Sequence, residues 1–203
     1  MKFLSKIDIE NFDERIHENI AKLIKKMQIL ETERLILREF TLEDAAFILE
    51  LLNSPPWLQF IGERNVNSIE EAENYLLNGS MKSYAENGFG FYAVVEKAET
   101  SARTNQTIGM CGLIKRDTLP DIDIGFAFLP NLISKGYGYE IASATLNYTL
   151  NVLKIKRIIA IVNPENEKSI GLIKKIGMQF EEMIKLGDDE KELMLFGIKQ
   201  KVD

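Results

Sequence analysis

Lys135, Gly136 and Gly138 have types and spacing suited to holding an anion. They lie in "LPNLISKGYGYEIASATL", between the apolar run "DIDIGFAFLP" and a long stretch with helical spacing. A strand-to-helix junction presents backbone N–H groups that no helical carbonyl accepts, at the positive end of the helix dipole. Glycine removes side chains where a phosphate would approach the backbone, and a lysine adds a cation at the same mouth. The alternative is a tight turn in which the glycines serve conformation alone. Two phosphate-binding patterns are excluded. The Walker pattern places its lysine after the glycines with Ser or Thr behind it, whereas this lysine precedes them. The dinucleotide fingerprint lacks its third glycine, and Ala142 falls one residue late for the usual stand-in. Nucleotide hydrolysis and hydride transfer drop away.

Carboxylates offer acid–base chemistry. On an extended strand Asp121, Asp123, Gly125 and Ala127 share one face, with Ile122, Ile124, Phe126 and Phe128 on the other. Cys111 alternates with Met110 in a strand pattern, which fits packing better than a nucleophile. With His17 the one histidine and Cys111 the one cysteine, there is no histidine cluster for a transition metal and no intramolecular disulfide. Basic residues number 25 against 31 acidic ones, for a net charge of -6 without a basic block, which argues against nucleic-acid binding driven by phosphate neutralisation. The opening "MKFLSKIDIENFDERIHENI" breaks any apolar run with charges, unlike a signal peptide or a membrane span. A cytoplasmic setting is the expectation.

Positioning these groups requires a framework. Phe12, Ile16, Ile20, Leu23, Ile24 and Met27 recur at helical steps, so residues 1–28 read as an N-terminal helical extension to a main domain spanning 29–203. Its apolar face would brace the main domain or contact a second subunit in a homodimer. Leu35, Leu37 and Phe40 suggest a strand, and "TLEDAAFILELLN" a helix with Thr41 as N-cap and Asp44 as its acidic partner. Pro55 and Pro56 predict an irregular stretch over "NSPPWLQFIGERNVNS". A second helix starts after Ser68, followed by the strands "GFGFYAVVE", "TIGMCGLIKR" and "DIDIGFAFL", the first two joined by an exposed loop over "KAETSARTNQ". A helix over about residues 136–153, the strand "RIIAIV", a helix over about 167–176 and two closing strands around "GDDE" complete the chain. The order β-α-α-β-β-β-α-β-α-β-β implies a mixed α/β (α+β) domain, a central mixed sheet with helices on both faces.

Five ordered segments carry a family resemblance: "ETERLILREFTLEDAAFILELLN", "IGMCGLIKRD", "DIDIGFAFLP", "KGYGYEIASATL" and "VNPENEKSIGLIKKIGMQFE". Together they resemble the GNAT superfamily of acetyl-CoA-dependent N-acetyltransferases, and most closely its ribosomal-protein alanine N-acetyltransferase branch, over about residues 31 to 197. The resemblance implies an enzyme that uses acetyl-CoA as cosubstrate, without a metal, to acetylate a primary amine directly in a ternary complex. It implies that the coenzyme contacts Phe128, Leu129, Ser134, Lys135, Gly136, Tyr137, Gly138, Tyr139, Asn163 and Asn166, with a backbone N–H of Phe128 or Leu129 reaching the thioester carbonyl. Ile133 and Ser134 depart from the usual Q/R-x-x-G-x-G/A loop, although backbone donors do not depend on side-chain identity. Asp123 resembles the family's base or water-positioning group; the alternative is a structural carboxylate that hydrogen-bonds a loop. The tyrosine that many relatives place seven residues after Asn166 is Ile173 here, and Ser169 matches the serine near the coenzyme sulfur, so the resemblance assigns it as donor to the leaving thiolate. Its alternative is a first-turn helix residue satisfying backbone donors.

Between the first two helices, where GNAT proteins shape the acceptor site, stand Trp57, Phe60, Glu63 and Arg64. Trp57, Phe60 and Arg64 are the candidate substrate pocket, with a core plug as the other reading of Trp57. The acceptor is a protein N-terminus or a small-molecule amine. A second class of function stays open at this point, an acyl-CoA-binding or interaction module that keeps the loop without turnover.

Overall fold

The computed structural model describes residues 27–97, 106–187 and 191–199. The N-terminal helix through residue 26, most of the loop after Lys97 and most of the "GDDE" turn lie outside the described residues. Gln28, read as the end of that helix, is instead the first residue of strand β1, Gln28–Glu31. This strand pairs antiparallel with β2, Leu35–Arg38, through a turn in which Thr32 N–H donates to Leu35 O at 2.9 Å. The sequence reading has one strand here because the turn Thr32–Arg34 contains neither glycine nor proline to mark it.

Thr41 N–H donates to the Asp44 carboxylate at 2.9 Å, the expected reciprocal arrangement before helix α1, Ala45–Leu52. The stretch after it corrects the prediction of irregular chain. Residues Pro55–Phe60 form a short helix, α2, with both prolines at its start. There the missing N–H groups have no intrahelical carbonyl to reach, and the fixed proline φ suits the first turn. Helix α3, Ile69–Leu76, starts where expected, its Glu71 N–H donating to Ser68 Oγ at 3.2 Å. It runs through a π-helical turn, Leu77–Met81, into α4, Lys82–Asn87, which Gly88 ends at φ 74°.

The remaining strands are β3 (Phe91–Glu96), β4 (Thr107–Ile114), β5 (Ile122–Phe128), β6 (Arg157–Val162), β7 (Gln179–Ile184) and β8 (Leu193–Lys199). Helix α5, Tyr137–Asn151, crosses from β5 to β6, and α6, Glu167–Lys175, follows β6. One eight-stranded sheet runs in the order β1-β2-β3-β4-β5-β6-β8-β7. Among the described residues only β5 and β6 are parallel neighbours; the other adjacent pairs are antiparallel. Strand β4 is buried at every position from Thr107 to Leu113, as a strand covered on both faces must be, and α1 and α5 both pack on it. Among the described residues no helix is long and apolar enough to cross a membrane.

Close approach between β3 and β4 explains Gly112, where a Cβ would sit 2.2 Å from Gly90 O and 2.7 Å from Phe91 Cα. Both obstacles are backbone and cannot rotate away. Gly112→Ala is expected to destabilise the fold by about 3 kcal/mol, read as a lowered denaturant midpoint at unchanged m-value.

The feature that shapes the site is the way β5 and β6 part. They pair only at Ile122 with Ile158 and at Asp123 with Ile159. Beyond that point β5 stays with β4 and β6 stays with β8, leaving a wedge whose apex is Asp123.

Candidate active site

Strand β5 ends at Phe128 and passes through a single 3-10 turn, Pro130–Leu132, to the loop before α5. Ser134 and Gly136 both adopt left-handed backbone, at φ 70° and 86°, and Gly136 stands at the N-cap of α5 without a side-chain cap. The N–H groups of Tyr137, Gly138 and Tyr139 thus have no acceptor within the helix, whose first bond runs from Glu140 N–H to Gly136 O at 3.1 Å. A Cβ on Gly138 would lie 3.3 Å from Leu172 and 3.6 Å from Phe128, so the small residue lets α5 sit close to α6 and β5.

This helix start, the wedge and the region of α2 to α4 border one cleft of about 1690 Å³. That exceeds the roughly 300–1,000 Å³ of a single small-ligand pocket and suits two substrates at once. Ser134, Gly136, Gly138 and Tyr139 line it. Lys135 is exposed outside the lining, and the buried Tyr137 ring turns away, its hydroxyl donating to the Glu96 carboxylate. Leu129 is corrected as a candidate oxyanion donor, because its N–H already donates to Ile108 O at 3.2 Å. Backbone groups alternate sides along a strand, so the Phe128 N–H faces the opposite edge, the one β6 has left.

Across the wedge, Asn163 and Asn166 shape the start of α6. Asn163 Oδ1 accepts from Glu165 N–H at 3.0 Å, and Asn166 Oδ1 accepts from Ser169 N–H at 3.1 Å, making Asn166 the N-cap. Ser169 lines the cleft half-buried, and its hydroxyl has no hydrogen-bond partner among the described residues.

Asp123 also lines the cleft, at the wedge apex and 2 % exposed. Arg116 Nε and Nη2 donate to its Oδ2 at 2.9 and 2.8 Å. Burial outweighs this pairing and the Ile161 N–H, pushing the carboxyl up to about 6. Cys111 is fully buried and held up to about 12 by desolvation, so it has no thiolate to offer.

At the acceptor end, Trp57, Phe60 and Arg64 all border the cleft. Trp57 is only 5 % exposed and belongs to the main core, whereas Phe60 is half-buried and Arg64 exposed. Arg116 and Tyr75, which the sequence reading passes over, border the same end. Arg116 had a legible signal. The β4–β5 hairpin sets Ile114 opposite Asp123, so a residue two further along leans back over that carboxylate.

Comparison with known proteins agrees with this geometry. The family model described as "Acetyltransferase (GNAT) domain" matches residues 34–179. The uncharacterized N-acetyltransferase YnaD of Bacillus subtilis (strain 168) is 30% identical over 156 residues, covering 77% of this chain and 85% of that protein. A GNAT-family acetyltransferase structure from Bacillus anthracis superimposes with a TM-score of 0.67 at 27% identity, covering 84% of this chain and 97% of the other. The ribosomal-protein-S5-alanine acetyltransferase from Vibrio fischeri shares the fold, with a TM-score of 0.68 at 20% identity over 84% of this chain and 95% of that one. A match spanning most of the described sheet, together with the wedge and the uncapped helix start that the fold places beside it, makes this chain a member of the GNAT family of acetyl-CoA-dependent acyltransferases.

Proposed function

We propose that the protein acetylates a primary amine by direct attack on acetyl-CoA within a ternary complex. The observation that carries this reading is the convergence in one cleft of the uncapped start of α5, the open edges of β5 and β6, Asp123 and Ser169. The free N–H groups at the loop and helix start suit a diphosphate, and the open strand edges suit the amide-bearing pantetheine arm. The Phe128 N–H would meet the thioester oxygen as negative charge develops on it.

In the transfer, the amine lone pair forms the new C–N bond, the C–S bond breaks, and its electron pair leaves with sulfur. The amine proton passes to Asp123, directly or through water, while Ser169 Oγ donates a hydrogen bond to the departing thiolate and relays a proton to it from water in the open cleft, so that the serine hydroxyl is regained. A carboxyl near 6 is ionised at neutral pH yet basic enough for this task. The buried Cys111 supports transfer without an acyl-cysteine intermediate. Trp57 packs in the core rather than closing a cup, which supports an acceptor that projects out of the cleft, such as a chain N-terminus, over a fully enclosed amine.

Isothermal titration with acetyl-CoA, followed by thiol release across N-terminal peptides and small amines, tests this reading. Absence of acetyl-CoA binding would overturn it. Ser169→Ala is expected to lower kcat about tenfold with the KM for acetyl-CoA within about twofold, because the backbone donors remain.

A further inference from the structure

The loop that presents the free N–H groups is held from behind by the β1–β2 turn. Glu140, in the first turn of α5, receives three donors: Thr32 Oγ1 at 2.6 Å, Arg34 N–H at 2.9 Å and Arg34 Nε at 2.7 Å. Arg34 Nη1 donates to Lys135 O at 3.1 Å, and the same guanidinium lies 4.6 Å from the Tyr137 ring centroid. Tyr137 is tied in turn to the buried Glu96. Arg34 does not line the cleft, so whatever it does there it does through the loop.

Two consequences follow from this geometry. In a planar trans peptide the C=O and the following N–H point in opposite directions. With Lys135 O drawn back to Arg34, the Gly136 N–H faces the other way, away from the β1–β2 turn. The second consequence concerns charge. Glu140 lies in the first turn, where a bare carboxylate would repel an incoming diphosphate, and the Arg34 fork neutralises it.

We infer that Arg34 is a positioning residue for coenzyme binding, orienting the Lys135–Gly136 peptide and masking the Glu140 charge. This rests on the proposed role of the loop as a diphosphate site. Lysine would reproduce the charge but not the fork that reaches Glu140 and the Lys135 carbonyl together.

The test is steady-state kinetics and isothermal titration with acetyl-CoA on the full chain, for the parent, Arg34→Ala, Arg34→Lys and the double variant Arg34→Ala with Glu140→Gln, each checked by thermal unfolding. Arg34→Ala is expected to raise the acetyl-CoA KM and Kd about thirtyfold, and Arg34→Lys about fivefold, with acceptor KM and kcat within about twofold. Adding Glu140→Gln to Arg34→Ala is expected to recover part of the affinity, since it removes the unmasked charge. If Arg34→Ala does not fold, Arg34→Lys carries the test. Parent-like acetyl-CoA affinity in a folded Arg34 variant would overturn the inference while leaving the coenzyme site intact, as would a fall in kcat alone. A parent that binds no acetyl-CoA would overturn the loop's coenzyme role itself, and this inference with it.

Discussion

Acetyl-CoA binding by a Gly136→Glu variant is expected to fall by about 100-fold or more, measured by isothermal titration beside the parent with both acetyl-CoA and free CoA. Three effects act together. Gly136 sits at φ 86°, where a side chain costs roughly 1–2 kcal/mol. A Cβ there would lie 3.2 Å from Arg34 Nη2, disturbing the contact between that guanidinium and the loop. The new carboxylate would also compete for the free N–H groups that a diphosphate needs. Gly136→Ala separates these effects, because it keeps the strain without the charge and is expected to lose only about tenfold. Since α5 is 15 residues long and packs on β4 and β5, thermal unfolding should show both variants folded. Unchanged affinity in Gly136→Glu would remove the loop from coenzyme binding.

Asp123→Asn is expected to lower kcat by about 10³-fold at neutral pH and to erase a pH limb. In the parent, kcat/KM should rise with pH as the Asp123 carboxyl ionises, with a break at about 6, because only the carboxylate can take a proton. The asparagine can still accept from Arg116, so the variant keeps the local hydrogen bonding while losing the base. The same shift has the opposite sign for stability. A carboxyl raised from 3.8 to about 6 on folding contributes stability that is fully present below pH 3.8 and lost as pH rises through about 6. Activity lost on acidification through this window therefore cannot be assigned to unfolding driven by Asp123. A kcat/KM break that persists near pH 6 in Asp123→Asn would assign the limb to another group and leave Asp123 as a structural carboxylate paired with Arg116.

Much of this protein is legible without coordinates. Helix-period patterns locate α5 and α6, and the alternating apolar runs locate β3 to β6, because those elements bury one face or both and their residues must repeat accordingly. The glycines of "KGYGYE" mark the loop, since positive φ and close approach leave few other choices. Local rules failed where position within an element mattered more than residue type. Pro55 and Pro56 open a helix rather than prevent one, and the β1–β2 turn has no turn residue to announce it.

Tertiary structure alone decided which of the marked groups meet. Nothing in the order of residues says that β5 and β6 part after Asp123, that Leu129 spends its N–H on Ile108, or that Tyr137 faces Glu96 instead of the cleft. Arg34 and Glu140 are more than a hundred positions apart and join only because β2 and α5 pack together. The sequence by itself determined most of the elements and the glycine loop before α5, because propensity, periodicity and glycine conformation are local, and its five ordered motifs carried the family resemblance. The wedge, the burial that raises Asp123 to about 6 against the pull of Arg116, and the clamp behind the loop arise from strand pairing and packing between distant segments, which no local pattern records.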